Sequence, residues 1–213
     1  MILYLDSVAP IPKFVLSDNN KNIESLDILD KKCSKVSDII HKKYVYLQKK
    51  YNLTELLDKL VVCNGPGSYT GIRVCISFML GLSYSLKLPI NSVSYPELLI
   101  KFIKSKDFYK TLIIICSSNN QNFLCIPINL KTNKYKIFNV NEKNLISNFN
   151  SKFYDNCISN AVLPGFLKDK KNNIFKKIKY INFEKSISKD LKYNLLKNNI
   201  LQPIYISDNK LFD

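Results

Sequence analysis

Tryptophan is absent from this chain of 213 residues, and histidine and arginine occur once each, as His41 and Arg73. One histidine cannot build a histidine-rich metal centre, and His41 has no acid or second histidine at ligand spacing, so a Ser-His-Asp constellation built on Ser68 has nothing to support it. We read His41 as a surface or interface residue. No apolar run approaches the roughly 20 residues needed to span a bilayer. The apolar opening Met1 to Leu5 meets Asp6 too soon to serve as a signal peptide's core. These absences read as a cytosolic globular chain, and 46% hydrophobic content suffices for the core of one domain or of two small lobes. Six cysteines (Cys33, Cys63, Cys75, Cys116, Cys125, Cys157) sit singly in apolar runs and never as C-x-x-C, which indicates buried free thiols rather than a zinc site or a redox pair.

Acids are also scarce, 17 against 32 basic residues, for a formal net charge of +15. Lysines that neutralise phosphates are one reading of that excess. The lysines are nevertheless scattered from Lys13 to Lys210 rather than gathered in a stripe, so a solvated surface accounts for them equally.

The hydrophobic pattern predicts three short strands, at Met1 to Leu5, Lys13 to Leu16 and Ile23 to Leu29, separated by a Pro10-Ile11-Pro12 break and a polar turn. Between Lys31 and Tyr51 the residues Val36, Ile39, Ile40, Tyr44, Leu47 and Tyr51 recur at steps of three and four, the mark of an amphipathic helix. A short helical piece over Leu53 to Lys59 leads to a buried strand, Leu60 to Cys63. Thr70 to Leu86 predicts a second long helix with one broad apolar face, Ile72, Cys75, Ile76, Met79 and Leu80 among it, where Gly81 would permit close approach by another backbone. A strand at Ile90 to Val93 and a helix over Pro96 to Ile103 complete a first half of α/β character. The second half reads as a meander over Leu112 to Cys116, Phe123 to Ile128 and Tyr135 to Val140. A short strand and turn follow over Ala161 to Leu167, with a tail rich in lysine and asparagine. We divide the chain into lobes at 1–106 and 107–213.

Glycine is scarce too, and three of only five glycines share nine residues with the sole arginine: Gly65-Pro66-Gly67-Ser68-Tyr69-Thr70-Gly71-Ile72-Arg73. A strand, a glycine turn and a helix start form an arrangement that can hold an anion on unpaired N–H groups. The alternative is structural: glycines that allow positive φ or close packing, with Ser68 or Thr70 capping the helix. The run lacks the lysine of a Walker loop and is not a dinucleotide fingerprint. Arg73 in the first helical turn faces the positive end of the dipole, so it requires a specific partner, an acid of this chain or of another subunit. Asp6 is the one acid placed where a phosphate-handling α/β protein would want it, but the following turn carries two prolines without N–H groups.

The stretch from Asn64 to Val74, with Leu88-Pro89-Ile90, Val93 and Ser94 after it, resembles the bacterial TsaB (YeaZ) family, whose corresponding run reads close to GPGSFTGxR. Ile2 to Ser7 and Leu201 to Ile206 echo that family's opening and closing patterns. The resemblance implies an α/β, actin-like ATPase (ASKHA, ribonuclease H-like) fold of two lobes, the second reduced. It implies a non-catalytic subunit that pairs with a TsaD-type catalytic paralogue and a TsaE-type ATPase. Together these would transfer a threonylcarbamoyl group to the adenosine beside the anticodon of tRNAs reading codons that begin with A. It further implies no tightly bound cofactor, ATP or ADP only within the complex, tRNA met through the complex, no membrane, and a homodimer when alone. The interface would use the helices flanking the glycine loop, through Val36, Ile39, Ile40, Tyr44, Leu47, Ile76, Met79 and Leu80. Three positions depart from the pattern: Lys35, where the family has histidine; Ser117-Ser118-Asn119, where it has Asp-Ala-Arg; and Ser207, where it has a final arginine. No role is carried to them. An independent nucleotide- or phosphate-binding enzyme is the alternative.

Overall fold

The computed structural model describes residues 1–19, 21–29, 35–118, 121–129, 132, 134–140, 154–163, 177–181 and 201–206. Strands β1 (Ile2–Asp6), β2 (Lys13–Asp18) and β3 (Lys21–Asp27) form an antiparallel meander, and β4 (Lys59–Cys63) and β5 (Ile90–Val93) add to the other side of β1 in parallel. The resulting sheet runs β3-β2-β1-β4-β5. A second sheet of β6 (Thr111–Cys116), β7 (Asn122–Asn129), β8 (Lys134–Asn139), β9 (Asn156–Ser159) and β10 (Lys177–Tyr180) runs β8-β7-β6-β9-β10. Its first three strands are again antiparallel and its last two parallel. One strand plan, 3-2-1-4-5, is thus built twice, as in the actin-like fold.

Alternation along the strands distributes side chains between layers. Leu3 and Leu5 of β1, Phe14 and Leu16 of β2 and Leu60 and Val62 of β4 face α1 (Val36–Tyr51) and α3 (Tyr69–Leu86), which lie side by side with Phe78 wedged between Phe14 and Tyr44. Tyr4, Val15, Val61 and Cys63 point the other way, into a core shared with α4 (Tyr95–Ile100) and with Ile113, Ile115, Phe123 and Ile158 of the second sheet. A third cluster, Leu112, Ile114, Leu124 and Cys157 among it, lies on the far face of that sheet. Between β3 and β4 the chain also makes the short helix α2 (Leu53–Leu56).

The predicted elements of the first half are all present, with ends that match or shift by at most three residues, except that α1 begins at Val36 rather than near Lys31. The second half needs correction. Ala161, Val162 and Leu163 are not strand; the strand is β9, just before them, and β10 was not foreseen. The expected turn at Pro164-Gly165 lies outside the described residues. The second sheet keeps all five strands, so any reduction of this lobe is not in its sheet. Residues 201–206 return to the first sheet, across the proposed division at 106.

Candidate functional site

The glycine loop leaves β4 at Asn64, whose N–H donates to Val93 O at 3.0 Å. Gly65 follows at φ +129, and its peptide bond to Pro66 is cis. A Cβ on Gly65 would stand 2.8 Å from the backbone oxygen of Ile204, so both the dihedral and the space demand glycine there. The space beside Gly67 is filled by Ser117 Oγ and Val8. Ser68 is the N-cap of α3, its Oγ accepting from Gly71 N at 3.3 Å, as the capping alternative anticipated. Thr70 is exposed on the first turn. Gly65 O accepts from Tyr95 N, which joins the loop to α4.

A terminal segment straps the loop down. Ile204 N donates to Asn64 O at 2.7 Å, and Asn64 Nδ2 donates to Gln202 O at 3.1 Å. Leu201 packs on the helix-side core and Ile206 on the inter-sheet core. The next residue of the segment, Tyr205, supplies the partner that Arg73 required: Arg73 Nε donates to Tyr205 Oη at 2.9 Å. The guanidinium lies over the Tyr69 ring, 4.2 Å from its centroid, and the Tyr69 and Tyr205 rings are 4.5 Å apart. The expectation of an acid from this chain is therefore corrected among the described residues: a phenol oxygen and two rings hold the cation instead.

Asp6 is buried at the end of β1, on the face opposite the helices. Its Oδ1 accepts from Val8 N and Ala9 N, both at 2.9 Å, and its Oδ2 accepts from Tyr95 Oη at 2.9 Å. Burial pushes its carboxyl above the ordinary value, opposed by the amides of Ala9 and Val8, the Tyr95 hydroxyl and the charge of Lys13. Tyr4 and Cys63 beside it are driven well up, first by burial and next by the Asp6 charge. Two amides of the β1–β2 turn that could meet a phosphate therefore already serve a carboxylate of the chain. Pro10 and Pro12 have no amide proton to add. An open cavity of about 470 Å³ adjoins Asp6, lined largely by apolar groups including Ile11, Tyr95, Val162 and Tyr180. A smaller one of about 240 Å³ lies between the starts of α1 and α3, among Ser7, Lys35, Ser68, Thr70 and Ser118.

The eight residues expected at a partner interface divide. Ile40, Leu47, Ile76 and Met79 are buried in the chain's own core, sealed between the helices and the first sheet, and are corrected from surface to core. Val36, Ile39 and Tyr44 are half-buried against that core. Only Leu80 is open, at 41% exposure, and it belongs to a stripe that also includes Ser77, Gly81, Tyr84 and Ser85. From Val74 to Leu86 this helix carries no charged residue, in a chain of which 23% is charged. Tyr84 is 90% exposed, and no atom outside its own helix's backbone comes within 4 Å of a Cβ placed on Gly81, so the close approach expected there is not made within the monomer. His41 is exposed on α1, as expected. Five cysteines are buried and free; Cys33, Asn119 and Ser207 lie outside the described residues.

Sequence reasoning missed Tyr84, Tyr95, Asn64 and Ile204 as members of this site. Tyr95 had a readable signal, since Ser94-Tyr95-Pro96-Glu97 is the pattern of a capping box, and the box is formed.

The model of the family described as "TsaD: tRNA N6-adenosine threonylcarbamoyltransferase" matches residues 39–204, well over half of the chain. A curated relative, "tRNA threonylcarbamoyladenosine biosynthesis protein TsaB" of Bacillus subtilis (strain 168), is 49% identical over 43 residues, 20% of this chain; the match spans 19% of that protein's length. Two solved structures share the fold nearly end to end. One is an uncharacterized protein with similarity to peptidase YEAZ from Pseudomonas aeruginosa (14% identity, 97% of this chain and 99% of that one, TM-score 0.60). The other is YeaZ from Pseudomonas aeruginosa (13% identity, 96% and 99%, TM-score 0.55). With the family model matched over most of its length, the chain belongs to the TsaD-type family, and its glycine loop and doubled strand plan are similar to those of TsaB (YeaZ) proteins.

Proposed function

We propose that this chain is a non-catalytic partner subunit in the cytoplasmic machinery that transfers a threonylcarbamoyl group to the adenosine beside the anticodon of tRNAs reading codons that begin with A. The observation that carries the reading is the outer face of α3. Ser77, Leu80, Gly81, Tyr84 and Ser85 form an exposed strip on a strongly basic protein, and its lack of charge around an open Leu and Tyr suits an interface better than a solvated helix face. Its occupant in this reading is a TsaD-type catalytic subunit, with a second copy of this chain using the same strip when that subunit is missing. A TsaE-type ATPase and tRNA join through the complex.

The alternative, an independent enzyme that binds nucleotide phosphate, is disfavoured by the Asp6 carboxylate that occupies the Val8 and Ala9 amides. ATP or ADP in this reading is met only within the complex. The test is copurification of tagged chain with the TsaD-type subunit of the same organism, using Leu80→Asp and Tyr84→Asp. Both variants should fold, as both positions are exposed, and both should lose the partner and the stimulation of transfer. Retained copurification by both would remove α3 as the interface, and undiminished transfer when the chain is omitted would end the reading.

A further inference from the structure

The only arginine of the chain sits where its own helix repels it. Arg73 lies in the first turn of α3, whose aligned peptide dipoles place positive charge at that end. It is nevertheless held rather than released to solvent. Tyr205, 132 residues away in sequence, accepts the Nε–H hydrogen bond, and the Tyr69 ring lies under the guanidinium plane. Tyr205 is itself fixed, because its neighbour Ile204 is bonded to Asn64 and Gln202 accepts from the Asn64 side chain.

An arginine has five N–H donors in a planar fork. One is used here, and among the described residues the remaining four meet no acceptor and no ion pair reaches the group. The ring covers one face of the fork and leaves its edge, the part that matches a carboxylate in two-pronged fashion. We propose that the Tyr69–Arg73–Tyr205 cluster receives one carboxylate, the side chain of an Asp or Glu on the protein that docks along α3. A nucleic-acid backbone fits less well. Phosphate binding gathers several cations, whereas α3 has none between Arg73 and Lys87, and its exposed strip is uncharged. Arginine and tyrosine are also the residue types that anchor protein interfaces. Tyr205 is then a positioning residue: it aims the fork without touching the partner's acid.

This inference rests on the partner-subunit reading, and the experiment separates the two. The dissociation constant of the chain for the TsaD-type subunit is measured by calorimetry for wild type, Arg73→Lys, Tyr205→Phe and the double variant, with thermal unfolding of each as a control. Arg73→Lys, which keeps the charge and loses the fork, should weaken binding at least about tenfold. Tyr205→Phe, which keeps the ring, should weaken it severalfold, and the double variant should be no worse than Arg73→Lys alone, since both changes act on one contact. Arg73→Glu should abolish binding, and reversing one acid of the partner to Arg should restore it. Wild-type affinity in Arg73→Lys and Arg73→Glu would overturn the inference and leave the reading standing. Failure of the wild-type chain to bind would overturn both. A loss of tRNA affinity with protein affinity intact would assign the site to phosphate and overturn it. So would a loss in Asp208→Asn matching that of Arg73→Lys, which would give the guanidinium to an acid of this chain.

Discussion

Helices α1 and α3 lie side by side on one sheet and each buries an apolar stripe against it, yet they turn opposite chemistries outward. The open face of α1 carries Lys42, Lys49 and Lys50 with Tyr46, and Lys50 is paired to Glu24 and lies near the rings of Tyr46 and Tyr51. The open face of α3 beyond Arg73 carries no charge at all. Inner faces are constrained by the sheet they share, so they say little about function. The outer faces are under no such packing demand. A helix that stays uncharged there, in a chain this rich in lysine, is the contrast on which the proposed docking face rests.

The sharpest way to break that contrast is to alter neighbouring positions on the same helix. Met79 is fully buried and Leu80 is 41% exposed. Met79→Ala should cost about 2–5 kcal/mol of stability in chemical denaturation, whereas Leu80→Ala should stay within about 0.5 kcal/mol. Equal losses would show that the strip is core and not surface.

The helix starts offer a smaller but cleaner contrast. Ser68 caps α3, while Lys35 at the N-cap of α1 makes no side-chain cap bond and brings a cation to the positive end. Lys35 already has the extended backbone an N-cap requires, so Lys35→Asp should gain about 1 kcal/mol and Ser68→Ala should lose about as much. Matching effects of the same sign in thermal melts would mean that other contacts govern these ends.

A third change touches neither helix and serves as the reference. Burial raises Asp6 above its ordinary value of 3.8. Its contribution to stability is therefore whole below that value and is lost as pH rises through the raised folded value, because only then does the buried carboxylate have to ionise. Asp6→Asn keeps the acceptor for Val8 and Ala9 and should be more stable than wild type at neutral pH, with the advantage shrinking toward acid. A pH-independent difference between the two unfolding curves would contradict this assignment.

Much of this architecture was legible because its signals are local. Apolar steps of three and four gave α1, the clustered glycines marked the loop, and Ser68 stood where a cap belongs. The family resemblance came from the loop's residue order, and the fold agrees with it. The second sheet was harder to read. β9 and β10 are four residues each, Asn156–Ser159 and Lys177–Tyr180, and they are strands because β6 offers an edge and each then pairs with the next. No periodicity of so short a run contains that information. Four of the eight expected interface residues turned inward for a related reason. The 3.6-residue pattern identifies an apolar stripe but not what covers it, and here the sheet covers Ile40, Leu47, Ile76 and Met79. Absence of charge on the opposite stripe was the better signal. The strap was invisible because no local pattern couples Asn64 to Ile204 and Gln202, the latter 138 residues away in sequence.

The core between the sheets bears on how this molecule moves. Tyr4, Val61, Tyr95, Ile113, Ile115 and Phe123 are buried in a single cluster drawn from both halves, and Ser94 is tied across to Tyr135 at 2.9 Å. A jaw that swings needs a wet, weakly bonded seam. Here a shared apolar core and the Ser94–Tyr135 bond cross the seam, so parting the halves would expose Ile113, Ile115 and Phe123 to water, a cost that any opening of the chain would have to meet.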